Sequence, residues 1–417
     1  ARFSGDSDDI IIGDAGTAFH ASADNNIAIG IDALDATTGA AIGNIGIGAN
    51  ALSAATDSDY NIGIGFQTAD ALTTGSRNVA VGAGALGTAS TALQNVALGH
   101  GAMQGVPASI ALGYCVAIGK DALYGAAGTT TGADGTVAIG YQSLKALTSG
   151  ANNVAIGENA GLLMTTNNAC VAIGFGALQA ADGGDDYNIA IGYNAGYGIN
   201  HDGSHDNVII GSEAGTGGSA AAFSSNIAIG TSVLQDTGTN ASTGQIGIGF
   251  RALKELTSGT QNLAIGYQAM KVHTTGSDNL AIGYEAMDDT DAGSTSLGSQ
   301  RNIFMGTNSG GGTWADVASS YNVAIGYATM DGALNGATSN VALGYYAGSD
   351  ITTADSNTCI GANAGSKLTT GGQNTAIGES AMYLHTTGAN NVVIGAGAMN
   401  DTDAGATSLS SADNVFI

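Results

Sequence analysis

Proline is nearly absent from this chain. Pro107 is the only one in 417 residues, and Trp314 is the only tryptophan. Cations are scarce as well: nine Lys and Arg stand against 34 Asp and Glu, a formal net charge of -25. That balance excludes a nucleic-acid track, which needs a basic stripe to neutralise phosphates. It also disfavours an anionic membrane surface, while it suits solubility, divalent cations or a salty medium. No apolar run approaches the roughly 18 residues of a membrane span, so direct membrane insertion is not expected. The first residues, Ala1 to Ser7, do not read as a signal peptide. Cysteine is limited to Cys115, Cys170 and Cys359, an odd number that points to free thiols rather than a disulfide framework. No Gly-x-Ser-x-Gly elbow or P-loop is present. Gly82-Ala83-Gly84-Ala85-Leu86-Gly87 matches a dinucleotide pattern on paper but lacks the βαβ unit around it.

What the chain has is repetition. Asn262-Leu263-Ala264-Ile265-Gly266 recurs as Asn26 to Gly30, Asn78 to Gly82, Asn153 to Gly157, Asn279 to Gly283 and Asn322 to Gly326. The commonest spacing between motif glycines is 17 residues and most others are 18 to 20. That period is too short for a helical repeat and fits one coil of a parallel β-solenoid, or β-roll, an all-β fold that grows by adding rungs. The pattern predicts about two dozen coils of about 17 residues, each with two short strands and two turns. At about 4.8 Å per coil they make a rod about 110 Å long.

Within the motif, positions two and four are Ile, Val or Leu and position three is Ala or Gly. Strand periodicity puts positions two and four on one face and position three on the other. The β-branched face is expected to fill the coil, and the Ala/Gly face to lie against a neighbour. A second strand is expected after the glycine, as in Tyr267-Gln268-Ala269-Met270. The coil then closes through Thr-Thr-Gly or Thr-Ser-Gly turns such as Thr148-Ser149-Gly150, where glycine can take a positive φ and hydroxyls can satisfy turn amides. The motif Asn is expected to bond its neighbours above and below in a register-fixing ladder. Cys115 and Cys170 occupy the Asn slot and Cys359 the Ala slot, as small fillers.

The repeat runs throughout, so the chain reads as one continuous domain, 1–417, with irregular coils at 100–119 and 284–306. The spacing Asn-x-Ala-Ile-Gly resembles the head repeats of trimeric autotransporter adhesins, and the 17-residue form with its Thr-Thr-Gly turn looks still more like repeat arrays of bacteriophage tail fibres. The resemblance covers essentially the whole chain. It implies a side-by-side homotrimer, an extracellular or virion location and a host cell-surface glycan or protein receptor as partner. No heptad stalk or membrane-anchoring barrel accompanies the repeats, which favours a non-enzymatic tail-fibre shaft or receptor-binding fibre over a cellular adhesin. An ice-binding solenoid is a further alternative and would need a regular Thr ladder.

Candidate sites lie where the repeat is decorated. His201-Asp202-Gly203-Ser204-His205-Asp206 holds two imidazoles and two carboxylates, a set that suits a transition metal or a polar loop. The inserts containing Asp289 and Asp291, and Asp401 and Asp403, offer hard oxygens suited to Ca²⁺; no other cofactor is implied. His273 and His385 lie six coils apart, on a trimer axis as three-His rings or in surface turns. Asp182, Asp185 and Asp186 form an acidic turn, open to casting as carboxylates of a polysaccharide-cleaving fibre. Aromatics follow the motif glycine at Tyr141, Tyr193, Phe250, Tyr267, Tyr284, Tyr327 and Tyr345, either as a glycan-binding stripe or as rings shielding the coil corner.

Overall fold

The computed structural model describes residues 2–3, 9–13, 22–37, 39–105, 112–125, 132–217, 221–237, 241–290, 298–314, 317–400 and 412–417. They fall into two compact units, Ala1–Asp206 and Asn207–Ile417. Each is a parallel β-solenoid without a helix among the described residues, and the two contain about 21 turns. In the first unit, three-residue strands stack in register from Ile10–Ile12 to Ile189–Ile191. Arg2–Phe3 pairs antiparallel with the first of them. In the second unit the stack runs from Val208–Ile210 to Val415–Phe416.

The orientation of these strands is the reverse of the sequence-based expectation. The Ala or Gly at position three points into the coil: Ala28, Ala80, Ala155, Ala264 and Ala324 are fully buried. The flanking Ile and Val are half-buried or exposed. The reason is the narrow interior. A Cβ built on Gly46 would sit 3.1 Å from Leu34 Cγ, and one on Gly63 would sit 3.0 Å from Leu52 Cγ. A strand backed by Leu34 or Leu52 has room for one methyl group or none, and close packing leaves no slack. In three coils with a larger position three the backing residue is glycine. Phe304 is matched by Gly310, Ile209 by Gly215 and Cys359 by Gly365, each glycine lying where a Cβ would meet the larger side chain. Trp314 completes the Phe304 pocket at a centroid distance of 5.6 Å.

The expected second strand is also absent. The segment after the motif glycine is a turn with left-handed residues, such as Gln268 and Met270, at φ 57° and 50°. Its amides bond the coils on either side, Gln268 N–H to Phe250 O at 2.8 Å and Met270 N–H to Ala286 O at 2.9 Å. This conformation turns Ala269 and Met270 inward, where both are fully buried. Left-handed non-glycine residues are individually unfavourable; here each amide gains an inter-coil bond. Additional two-residue strands form at Phe223–Ser224, Ser242–Thr243 and Gly259–Thr260.

The turn glycines divide into two kinds. Gly150 and Gly259 have φ of 118° and 116°, as expected. Gly75, Gly276 and Gly371 do not, and are required because a Cβ would overlap the next coil's backbone, at Ala92, Ser299 and Gly388 respectively. The threonine hydroxyls serve carbonyls instead of amides: Thr148 Oγ1 donates to Thr165 O at 2.9 Å and Thr257 Oγ1 to Thr274 O at 2.9 Å.

The asparagine ladder is present in both units. Asn78 N–H donates to Asn61 Oδ1 at 2.9 Å, and Asn78 Nδ2 donates to the same oxygen at 3.0 Å and to Ala92 O at 2.7 Å. Asn279 and Asn322 repeat this on Asn262 and Asn302. Asn26 N–H donates to Asp9 Oδ1, which starts the ladder. Each amide side chain is thereby buried with its donors and acceptor used, which holds three coils in one register. Cys115 and Cys170 interrupt it. Their backbone amides still bond Asn95 and Asn153, and their thiols reach Ala133 O and Asp185 O at 3.1 Å. A thiol sulfur is a weak acceptor, so the Thr136 and Asn188 amides that meet Cys115 and Cys170 gain less than an amide oxygen would give them. Replacing Cys170 by Asn is therefore expected to stabilise the first unit by about 1 kcal/mol, read as a higher urea midpoint with unchanged slope. A lower midpoint would show that this slot does not accommodate the ladder.

Candidate functional site

Inverting the strand leaves a stripe of aliphatic side chains on the outside of each unit. In the first unit Ile64 and Ile156 are each 37% exposed; in the second, Ile325, Val341, Leu343 and Ile394 are 38 to 45% exposed. They lie in two columns, at positions two and four, and repeat once per coil because the strands pair without slippage. Among the described strands, only Thr358 and Thr375 break the aliphatic run at position two.

Beside the stripe, at the corner formed by the motif glycine, stands the aromatic column. Phe250, Tyr267 and Tyr284 stack with centroids 5.1 Å apart, the last two nearly parallel at 4°. Tyr193 stacks on Phe175 at 5.5 Å, and Tyr327 on Tyr345 at 5.5 Å. Tyr141 lies under the Lys120 ammonium at 5.7 Å. Within a stack the ring faces cover one another and the edges meet solvent, so a sugar face has access to a ring face only where a stack ends.

The metal candidates among the described residues are not drawn together. Among the described residues no group of three His, Cys, Asp or Glu side chains is placed to hold a metal ion. His201 Nδ1 is bonded to Asp202 O at 2.8 Å and His205 Nδ1 to Asp206 Oδ2 at 2.8 Å, each by its neighbour in sequence. Asp289 Oδ2 accepts from Thr313 Oγ1 at 2.7 Å. Asp291, Asp401 and Asp403 lie outside the described residues. His273 and His385 line neither an axis nor a surface turn, because both are fully buried inside their own coils. They occupy the slot that Leu147 and Leu256 fill elsewhere, and His273 bonds Thr290 Oγ1 at 2.7 Å through Nδ1. Neither can join a three-His ring on an external axis.

Of the acidic turn, Asp185 is the buried member. Its Oδ1 accepts from Ser204 N–H at 3.3 Å, while its Oδ2 has no partner among the described residues. Burial first, and repulsion from Asp182 second, push its carboxyl up to about 7. Burial likewise raises Asp288 and Asp331, each to about 6. The sign of the effect at Asp185 follows from linkage. Between the unfolded value near 3.8 and the folded value near 7 the native state holds a proton that the unfolded chain has released, so stability falls as pH rises through this window and levels off above it. Asp185→Asn is expected to remove that loss, gaining about 1–3 kcal/mol at pH 8 and little at pH 4. Thermal melts at the two pH values check this; an equal change at both would place the effect elsewhere. The thiols are raised as well, Cys115 to about 11 and Cys170 and Cys359 to about 12, chiefly by burial.

Searches against protein-family models and curated proteins find no match for this chain. No helix among the described residues is long and apolar enough to cross a membrane.

Proposed function

We propose that the protein is a non-enzymatic fibre in which three copies lie side by side, as a tail-fibre shaft or receptor-binding fibre that attaches to a host cell surface. The observation that carries this reading is the aliphatic stripe. The interior of the coils is filled mainly by the chain's own Ala, Leu and Met, so the Ile and Val at positions two and four of the strands are left over for a partner. The partner must offer apolar side chains at the same rise per coil, and a second copy has them by construction. Two columns per strand let each chain meet two neighbours, which closes a ring of three without an unsatisfied face. The trimer interface is thus the β-branched face, and the Ala/Gly face belongs to the coil. The repeat resemblance supports the same arrangement and an extracellular or virion setting.

In such a packing, identical residues of the three chains approach one another at one level of the axis. Ile156→Cys is then expected to form intermolecular disulfides under mild oxidation, whereas Tyr141→Cys at the corner is not. The native thiols, all buried, do not compete. Absence of cross-linking at Ile156, or equal cross-linking at both positions, would contradict side-by-side packing on this face.

A further inference from the structure

The stack formed by Tyr327 and Tyr345 ends abruptly. In the register of the strands, Leu343 pairs with Ile360, so the ring position of the next coil falls on Ala362. Tyr327 covers one face of Tyr345, and no ring follows to cover the other. Tyr346 stands against this pair at right angles, 4.5 Å from Tyr345 and 5.6 Å from Tyr327. A cleft of about 410 Å³ opens here, lined by Tyr345, Tyr346, Tyr383, Asp331, Lys367 and Asn363 among others. Its size lies within the range of about 300–1,000 Å³ found for small-molecule sites.

The polar groups of the cleft are held in place by one another. Lys367 Nζ bonds Asp350 Oδ2 at 2.9 Å, and Ser349 Oγ lies 3.1 Å from both Ser366 Oγ and Asp350 Oδ1. Lys367 is therefore neutralised, Asp331 adds a second carboxylate, and the cleft carries no surplus positive charge for an anionic ligand. What it offers is tyrosine rings beside acceptors, hydroxyls and an amide. Rings pack against the C–H face of a pyranose, and carboxylates and amides take its hydroxyls, the carboxylates in charge-assisted bonds.

The geometry points to this cleft as a binding site for a neutral saccharide of one or two pyranose rings. The inference deepens the surface-recognition part of the proposed function and does not depend on the trimer. Asp350 and Lys367 position the cleft walls, and Tyr345 and Tyr383 make the contact.

The test uses the full chain. An array of neutral, amino and anionic oligosaccharides is probed with labelled protein. Saturation-transfer NMR then uses methyl α-glucoside, methyl α-galactoside, methyl α-mannoside and N-acetylglucosamine. At least one neutral sugar is expected to bind, with transfer strongest to ring C–H protons. Tyr345→Ala and Tyr383→Ala should weaken it tenfold or more, and Lys367→Met several-fold. Tyr267→Ala, in a separate stack, should leave it unchanged, and circular dichroism identifies any variant that has lost its fold. Preference for anionic sugars, binding unaffected at Tyr345 and Tyr383, or no binding at millimolar sugar would overturn the assignment. Cell attachment retained by a folded Tyr345→Ala variant would remove the cleft while leaving the fibre reading standing.

Discussion

Substituting alanine for Gly157 is expected to destabilise the first unit by about 3–5 kcal/mol, lowering its thermal midpoint and abolishing cooperative unfolding of the neighbouring coils. Two independent constraints meet at this residue. Its φ is 138°, a backbone conformation open in practice only to glycine. A Cβ there would also lie 2.5 Å from Gly174 O of the next coil, an oxygen fixed in the stack and unable to retreat. Relief would require the two coils to separate, at the cost of the strand bonds and of the ladder around Asn153 and Cys170. Alanine at Gly84, where φ is 66° and the nearest contact is the flexible Gln104 side chain at 3.1 Å, should cost far less. Urea titration of the two variants provides the comparison. Equal, small losses would mean that coil spacing is softer than the backbone contacts indicate.

The second large effect concerns association. Ile156→Asp together with Ile325→Asp places one carboxylate on the stripe of each unit. Each would be desolvated in an apolar interface, and on a three-fold axis it would face two copies of itself. The double variant is expected to weaken assembly by at least about 100-fold, leaving a folded single chain. Its far-ultraviolet circular dichroism should match that of the parent, because both side chains already point away from the coil interior. Loss of fold with loss of assembly would instead show that the stripe supports the coil itself.

Much of this architecture is legible in the sequence, because the repeat repeats its physics. Asn at the head of the motif and Gly at its end announce the ladder and the tight backbone approach, and both are where the spacing puts them. The side on which each face lies is not legible from strand periodicity. Alternation says that positions two and four, such as Leu263 and Ile265, share a face, but which face is inside depends on the width of the coil. That width is set by Leu34, Leu52 or Met270, which a strand reading of the turn directs elsewhere. The pairings of Phe304 with Gly310 and Ile209 with Gly215 carry the missing information as compensating volumes. The burial of His273 and His385 is readable too, since they stand where Leu147 and Leu256 stand in other coils. The cleft beside Tyr345 depends on Ala362 interrupting a column of rings, a feature visible only once the register is known.

The most direct test of the account is the native mass of the chain in solution, by light scattering after size-exclusion chromatography, with and without a calcium chelator. The account predicts a species near 122 kDa, three times the 40.6 kDa chain, unchanged by chelation. A stable 40.6 kDa species at micromolar concentration would contradict it, leaving the aliphatic stripe without the partner proposed for it.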